Sequence, residues 1–217
     1  MSKSLRVVVP PHPLIGHWLT LLRDRETPQA LFNTAMAELG RWLTYEALRD
    51  WIPYQRVQVQ TPLAATEGTV VDGSVPMLAI PHLRSGLALW EGARPVVPSA
   101  AVAHIGLSQG SCWFNGLPDE IPERAGVLVF TPQVASGTNL LQLLEQLEQL
   151  GVSGMRLRVI TALAASPGLK RLGERYDDLT LYTGCIDAEL DAEQRILPGF
   201  GDAEQRLYGL GQMNFVG

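Results

Sequence analysis

Cysteine is scarce in this 217-residue chain: Cys112 and Cys185 are its only two. They stand far apart, with no His or Cys at ligand spacing, so a disulfide scaffold and a structural zinc site are set aside and a reducing compartment is expected. Charge is sparse too, at 18% Asp, Glu, Lys and Arg with a net of −5. A sequence-independent nucleic-acid binder needs a basic face to neutralise phosphates, so no nucleic-acid partner is expected. The densest basic stretch, Lys170-Arg171 with Arg175, reads as the polar face of a helix. Long apolar runs are missing as well. Val7–Val9 is stopped by Pro10-Pro11, far short of a signal-peptide core, and nothing reaches bilayer length. The expectation is a cytoplasmic protein with no membrane partner. Repeats are absent, and the length suits one domain over 1–217.

What is present alternates between two periods. Thr27-Pro28 predicts a helix start, with Thr as N-cap and Pro at the first helical position. Leu31, Phe32, Ala35, Met36, Leu39, Trp42 and Leu43 continue it at helical spacing toward Trp51-Ile52-Pro53. Arg56–Gln60 alternates apolar and polar, Thr61–Gly68 leads into Thr69-Val70-Val71, and Asp72-Gly73 is a turn signal, which predicts a β-hairpin or arm over about 56–72. Short apolar runs at Val75–Ile80, Ala100–Leu107, Val127–Phe130, Met155–Leu163 and Leu179–Ile186 read as buried strands. Helices lie between them, one through Trp90, one on Leu140, Leu143, Leu144 and Leu147, and one capped by Ser166-Pro167. Strands alternating with helices predict an α/β fold with a mostly parallel central sheet flanked by helices. Ligands of such sheets sit at the C-terminal strand ends, which points to the loops after Ile80, Leu107, Phe130 and Ile186.

The loop after Phe130 carries the clearest chemical signal. A buried strand, then Ala135-Ser136-Gly137-Thr138, then a helix start can form a nest of N–H groups at a positive dipole end. It lacks the Gly-Lys-Ser/Thr of a Walker loop, and a plain small-residue N-cap turn explains the same pattern. The four histidines, His12, His17, His82 and His104, are too dispersed for local metal ligation and read as structural.

At this loop the chain resembles the uracil phosphoribosyltransferases. Their segment Asp-Pro-Met-Leu-Ala-Thr-Gly-Gly-Ser is met here by Thr131-Pro132-Gln133-Val134-Ala135-Ser136-Gly137-Thr138-Asn139. His12-Pro13-Leu14-Ile15 with Leu22-Arg23-Asp24 is similar to their opening, and Pro81–Leu87 to Pro-Ile-Leu-Arg-Ala-Gly-Leu. Ile196-Leu197-Pro198-Gly199-Phe200-Gly201-Asp202-Ala203 is close to Ile-Val-Pro-Gly-Leu-Gly-Asp-Ala. The resemblance implies a type I phosphoribosyltransferase-like domain with a small hood, including a base-binding segment at about 187–209. It implies conversion of uracil and phosphoribosyl diphosphate to UMP and diphosphate. Mg²⁺ would be bound mainly through the co-substrate, with no metal ligands of the chain's own. It also implies a homodimer paired through the arm. Carried over, Arg84 would bind diphosphate, Thr131 to Asn139 would wrap the ribose and its phosphate, and Ile196, Gly201, Asp202 and Ala203 would read uracil. Asp202 and Arg84 are then the catalytic candidates, though Arg84 also reads as a surface charge at a helix start and Gly199–Ala203 as a turn.

Three departures gather on the co-substrate side. The family's acidic residue is Thr131, its Tyr-Arg pair is Ser108-Gln109, and its Lys-bearing lid is the short, uncharged Gly110–Gly116. Losing two charged contacts costs about 3–6 kcal/mol. The alternative to a transferase is therefore an impaired homologue that binds uracil or a nucleotide, or serves as a protein-interaction subunit. A transferase for another base is argued against by Gly201-Asp202-Ala203. Trp113 and Phe114 in the shortened lid are expected to be ordered and buried, or to form a protein-partner patch. The apolar tail Gln212–Val216 is expected to dock on the core.

Overall fold

The computed structural model describes residues 5–209, so the docking expected of Gln212–Val216 lies outside the described residues. The first third of the chain supplies β1 (Arg6–Val8), α1 (Pro13–Arg23), α2 (Gln29–Leu48), β2 (Tyr54–Gln60) and β3 (Ala65–Val71). The middle supplies β4 (Met77–Leu83), α3 (Gly86–Ala93), β5 (Ala101–Val102), β6 (Ile105–Ser108), β7 (Ser111–Asn115), β8 (Gly126–Val134) and α4 (Thr138–Gln149). Then come β9 (Leu157–Ala165), α5 (Ser166–Arg175), β10 (Thr180–Thr183), β11 (Ile186–Asp187), β12 (Glu189–Leu190), β13 (Ile196–Leu197) and α6 (Ala203–Tyr208).

Among the described residues nine strands form one sheet, in the order β1-β10-β9-β8-β4-β6-β7 with β11 on β9 and β5 on β4. Every pairing is parallel except β6 with β7. The mostly parallel α/β sheet read from the sequence is therefore the fold. Its central strands are apolar on both faces because both faces are covered. Along β8, Leu128 and Phe130 pack with Phe32, Met36 and Leu89 of α2 and α3. The alternate residues Val127 and Val129 pack with Leu143 and Leu147 of α4 and Leu172 of α5. Phe130 is fully buried, so truncating it to Ala would cost about 3–5 kcal/mol.

Several local expectations are corrected. Pro28, not Thr27, is the N-cap of α2, because Phe32 N–H bonds to the Pro28 carbonyl and no side chain caps that end. Ala165 rather than Ser166 occupies the N-cap of α5. Asp72-Gly73 is not the hairpin turn. The arm pairs Gln60 with Ala65, and its turn is closed by Thr61, whose Oγ1 accepts from Leu63 and Ala64. Asp72 instead caps the exit of β3 by accepting from Ser74 N–H. Ala100–Leu107 splits into an exposed β5 and a buried β6, and Leu179–Ile186 into β10 and β11, both laid along β9.

The arm of β2 and β3 stands out from the rest. All but one residue on each strand are exposed, including Tyr54, Val59 and Val71. A lone two-stranded ribbon is marginal in water.

Candidate functional site

The C-terminal ends of β4, β6 and β8 open into a cleft of about 840 Å³. All nine residues from Thr131 to Asn139 line it, together with Arg84, Gln109, Trp113, Glu193, Gln194 and Glu204. β8 runs on to Val134, four residues past the expected strand end, so Thr131 and Gln133 are presented from a strand and only Ala135–Gly137 form the loop. Thr131 is buried, its hydroxyl 3.5 Å from the Gln133 carbonyl.

Gly137 is the N-cap of α4, with φ +78°, and no side chain caps the helix. Its left-handed backbone is the conformation glycine reaches without strain. Gly168 at the start of α5 packs directly beneath, where a Cβ would lie 2.2 Å from the Ala135 carbonyl oxygen. The loop is therefore pinned while the first-turn N–H groups of α4 face the cleft without a cap, the arrangement that binds anions. This favours the nest over a plain N-cap turn. The hydroxyls of Ser136 and Thr138 lie 3.1 Å apart at its edge, and Arg171 Nη1 donates to Thr138 Oγ1 at 2.8 Å.

Arg84 follows β4 across a cis peptide from Leu83. Its Nη2 donates to Glu204 Oε2 at 2.7 Å, its backbone N–H donates to Glu204 Oε1 at 3.1 Å, and Tyr208 Oη donates to its carbonyl at 2.8 Å. Partial burial pushes the Glu204 carboxyl up, but hydrogen bonds and charge from Arg84 outweigh it and hold the group below its usual range. It is ionised at neutral pH. His82, one strand position earlier than Leu83, has Nε2 2.9 Å from the Leu107 carbonyl, and burial pulls its imidazole down. It is a neutral structural group beneath the lid.

The lid is a hairpin. Gln109 (φ +50°) and Gly110 (φ +76°) form its two-residue turn, as a type I′ turn requires. Gly110 N–H donates to Asn139 Oδ1 at 3.3 Å, which ties the turn to the start of α4. A bulge makes Trp113 the extra residue of β7, and its ring lies over Gly106. The lid is paired along its length, but the expected burial is not met within the chain: Trp113 is 55% and Phe114 45% exposed. The strand is too short, and the ring over Gly106 too near the cleft mouth, to sink either aromatic into the core.

The hood is built from charges in mutual pairs. Asp187, buried at the end of β11, accepts from Arg23 at 2.7 and 3.0 Å and from Gly199 N–H at 3.0 Å. Arg206 holds α6 to α1 by donating to the carbonyls of Leu22, Asp24 and Phe200. Of the four residues expected to read uracil, none lines the large cleft. Ile196 and Ala203 are buried, Asp202 caps α6 by accepting from Glu204 and Gln205 N–H, and Gly201 borders a smaller hollow of about 340 Å³ beside Arg23 and Arg206. The structure thus brings Arg84 and Thr131–Asn139 together and leaves Ile196, Gly201, Asp202 and Ala203 outside that cleft.

Sequence reasoning missed Glu204 and Arg171. The first is separated from Arg84 by 120 positions, and the second stands in a basic stretch that reads as the polar face of a helix. Unlike Arg175, which lies 3.5 Å from Glu148, Arg171 has no carboxylate partner among the described residues. Also among the described residues, no three His, Cys, Asp or Glu side chains converge to hold a metal.

The sequence matches the family profile described as uracil phosphoribosyltransferase over residues 9–210. A uracil phosphoribosyltransferase of Synechococcus elongatus is 46% identical, the match covering 96% of this chain and 99% of that one. One from Nicotiana tabacum is 39% identical over 96% of each chain. Among solved structures, the AQ2163 protein from Aquifex aeolicus superposes with a TM-score of 0.83 at 29% identity, covering 94% of this chain and 98% of its own.

Proposed function

The chain belongs to the uracil phosphoribosyltransferase family, and on that premise we propose how its cleft converts uracil and phosphoribosyl diphosphate to UMP and diphosphate in pyrimidine salvage. The carrying observation is one cleft that joins a pinned, uncapped helix start to the Arg84 guanidinium. The uncapped N–H groups of α4 and the Ser136 and Thr138 hydroxyls bind the 5-phosphate of the ribose, and Arg171 adds positive charge from behind. Arg84 faces the diphosphate. As the C1–O bond breaks, the electron pair leaves on diphosphate, and a guanidinium there stabilises the growing charge. Uracil N1 forms the new bond to C1 and its proton is released.

The hood residues Ile196, Gly201 and Ala203 read the flat, neutral base through backbone groups, which requires the α6 start to swing toward the cleft. Asp202 acts by capping that helix and holding the loop in shape. A magnesium ion fits as a passenger of the diphosphate. The cleft offers no carboxylate cage, its Glu204 and Glu193 are already engaged by Arg84 and Arg195, and magnesium commonly enters with substrate phosphates and few protein ligands. When bound it supplies further neutralisation of the diphosphate charge.

The active unit is a homodimer joined through the exposed arm, whose apolar Tyr54, Val59 and Val71 need cover. Sedimentation as a monomer at micromolar concentration would contradict this. No helix among the described residues is long and apolar enough to cross a membrane, and two free cysteines suit the cytoplasm. The impaired, binding-only reading keeps one observation in its favour, the neutral Thr131 and Gln109 in the cleft. Calorimetry with UMP tests both at once. Heat at millimolar UMP or below is expected, and silence would contradict the transferase and its binding-only cousin alike.

A further inference from the structure

The guanidinium that would meet the departing diphosphate already has an anionic partner inside the chain. Glu204, on the first turn of α6, engages Arg84 through both oxygens, at 2.7 Å to Nη2 and 3.1 Å to the backbone N–H. The same helix brings Tyr208, whose hydroxyl donates to the Arg84 carbonyl at 2.8 Å and whose ring centre lies 5.4 Å from the guanidinium carbon. One short helix thus holds one residue by four contacts. Glu204 itself lines the cleft, so its charge stands where an incoming diphosphate would feel it.

We propose that Glu204 sets the affinity for phosphoribosyl diphosphate by competing with the diphosphate group for Arg84. The inference rests on the transfer reading above. A carboxylate and a diphosphate cannot share one Nη2 without repelling each other across a few ångströms. Binding therefore exchanges one ion pair for another, and the net gain from Arg84 is smaller than the guanidinium alone could supply. Because α6 begins at Ala203, directly after Gly201 and Asp202, the residue that releases Arg84 rides on the segment that meets the base. The two ends of the reaction are mechanically joined.

The test is calorimetry of inorganic diphosphate with magnesium present, on the full chain and on E204Q and R84Q, alongside steady-state kinetics. Gln keeps the size of Glu and removes its charge. E204Q is expected to bind diphosphate about three- to fivefold more tightly, the range set by a partly exposed ion pair. The KM for phosphoribosyl diphosphate should fall in step, while kcat stays level. Damage to the fold cannot raise affinity, so a gain would be specific. If E204Q binds no better than the parent while R84Q loses binding, Glu204 merely positions Arg84; the proposal is overturned and the transfer reading stands. If R84Q binds diphosphate as tightly as the parent, the role of Arg84 is wrong and the proposal falls with it.

Discussion

The two walls of the cleft solve the same problem by different means. The wall made by Thr131–Asn139 is nearly free of ionised side chains and offers backbone N–H groups fixed by Gly137 and Gly168. The opposite wall carries Arg84 paired with Glu204, and the hood next to it holds further matched pairs, Arg23 with Asp187 and Arg195 with Asp191. A wall of fixed dipoles costs no reorganisation when an anion arrives. A wall of matched charges must break pairs first, and it can be set by which pair breaks. In the proposed reading the phosphate end of the site is prebuilt and the diphosphate and base end is adjustable.

Removing the central cation of the adjustable wall should have the largest effect. Arg84→Ala is expected to lower kcat/KM for phosphoribosyl diphosphate about a hundredfold, the usual cost of a lost transition-state donor. Steady-state kinetics would check it, and a change of less than tenfold would mean that the prebuilt wall suffices. Next in size is Asp187→Ala, which leaves a partly buried Arg23 and the Gly199 N–H without their shared acceptor. A stability loss of about 2–4 kcal/mol is expected by urea unfolding. UMP binding should weaken as well, because the hood that meets the base loosens.

The double change Thr131→Asp with Gln109→Arg puts charge into the neutral wall. Both positions line the cleft, so a gain of at least about tenfold in transfer rate is expected, each ionic contact being worth about 1.4 kcal/mol or more. A double variant as slow as the parent would make the short, tethered lid the limiting feature. The smallest effect belongs to Arg171→Gln, which should raise the KM for phosphoribosyl diphosphate about threefold, with Arg171→Lys restoring part of it. An unchanged KM would leave Arg171 a surface residue held to Thr138 and nothing more.

How much of this was legible in the sequence followed from how local each feature is. Thr131–Asn139 could be read because strand, turn and helix start lie within nine consecutive residues and announce one another. The sheet was equally plain, since its apolar runs have no polar face. The arm was found, but its turn was misplaced: Asp-Gly is the stronger turn signal, yet the Thr61 hydroxyl closes the loop at Ala64. Glu204 and Arg171 were missed for another reason. Each acquires its role only when a distant segment is brought to it, Arg84 in one case and Thr138 in the other. Nothing local distinguishes such a charge from one that faces water. The lid aromatics fell between the two cases, because a bulge that no dipeptide announces decides where Trp113 points.

Everything proposed for this cleft depends on its moving a phosphoribosyl group onto uracil. Its most direct test is conversion of labelled uracil by the purified chain, with phosphoribosyl diphosphate and Mg²⁺ present. UMP and diphosphate in equal amounts are expected, with formation about a hundredfold slower when Arg84 is replaced by Ala. No UMP above the protein-free control, in a protein that nonetheless binds UMP, would contradict it and leave a binding protein built on a transferase frame.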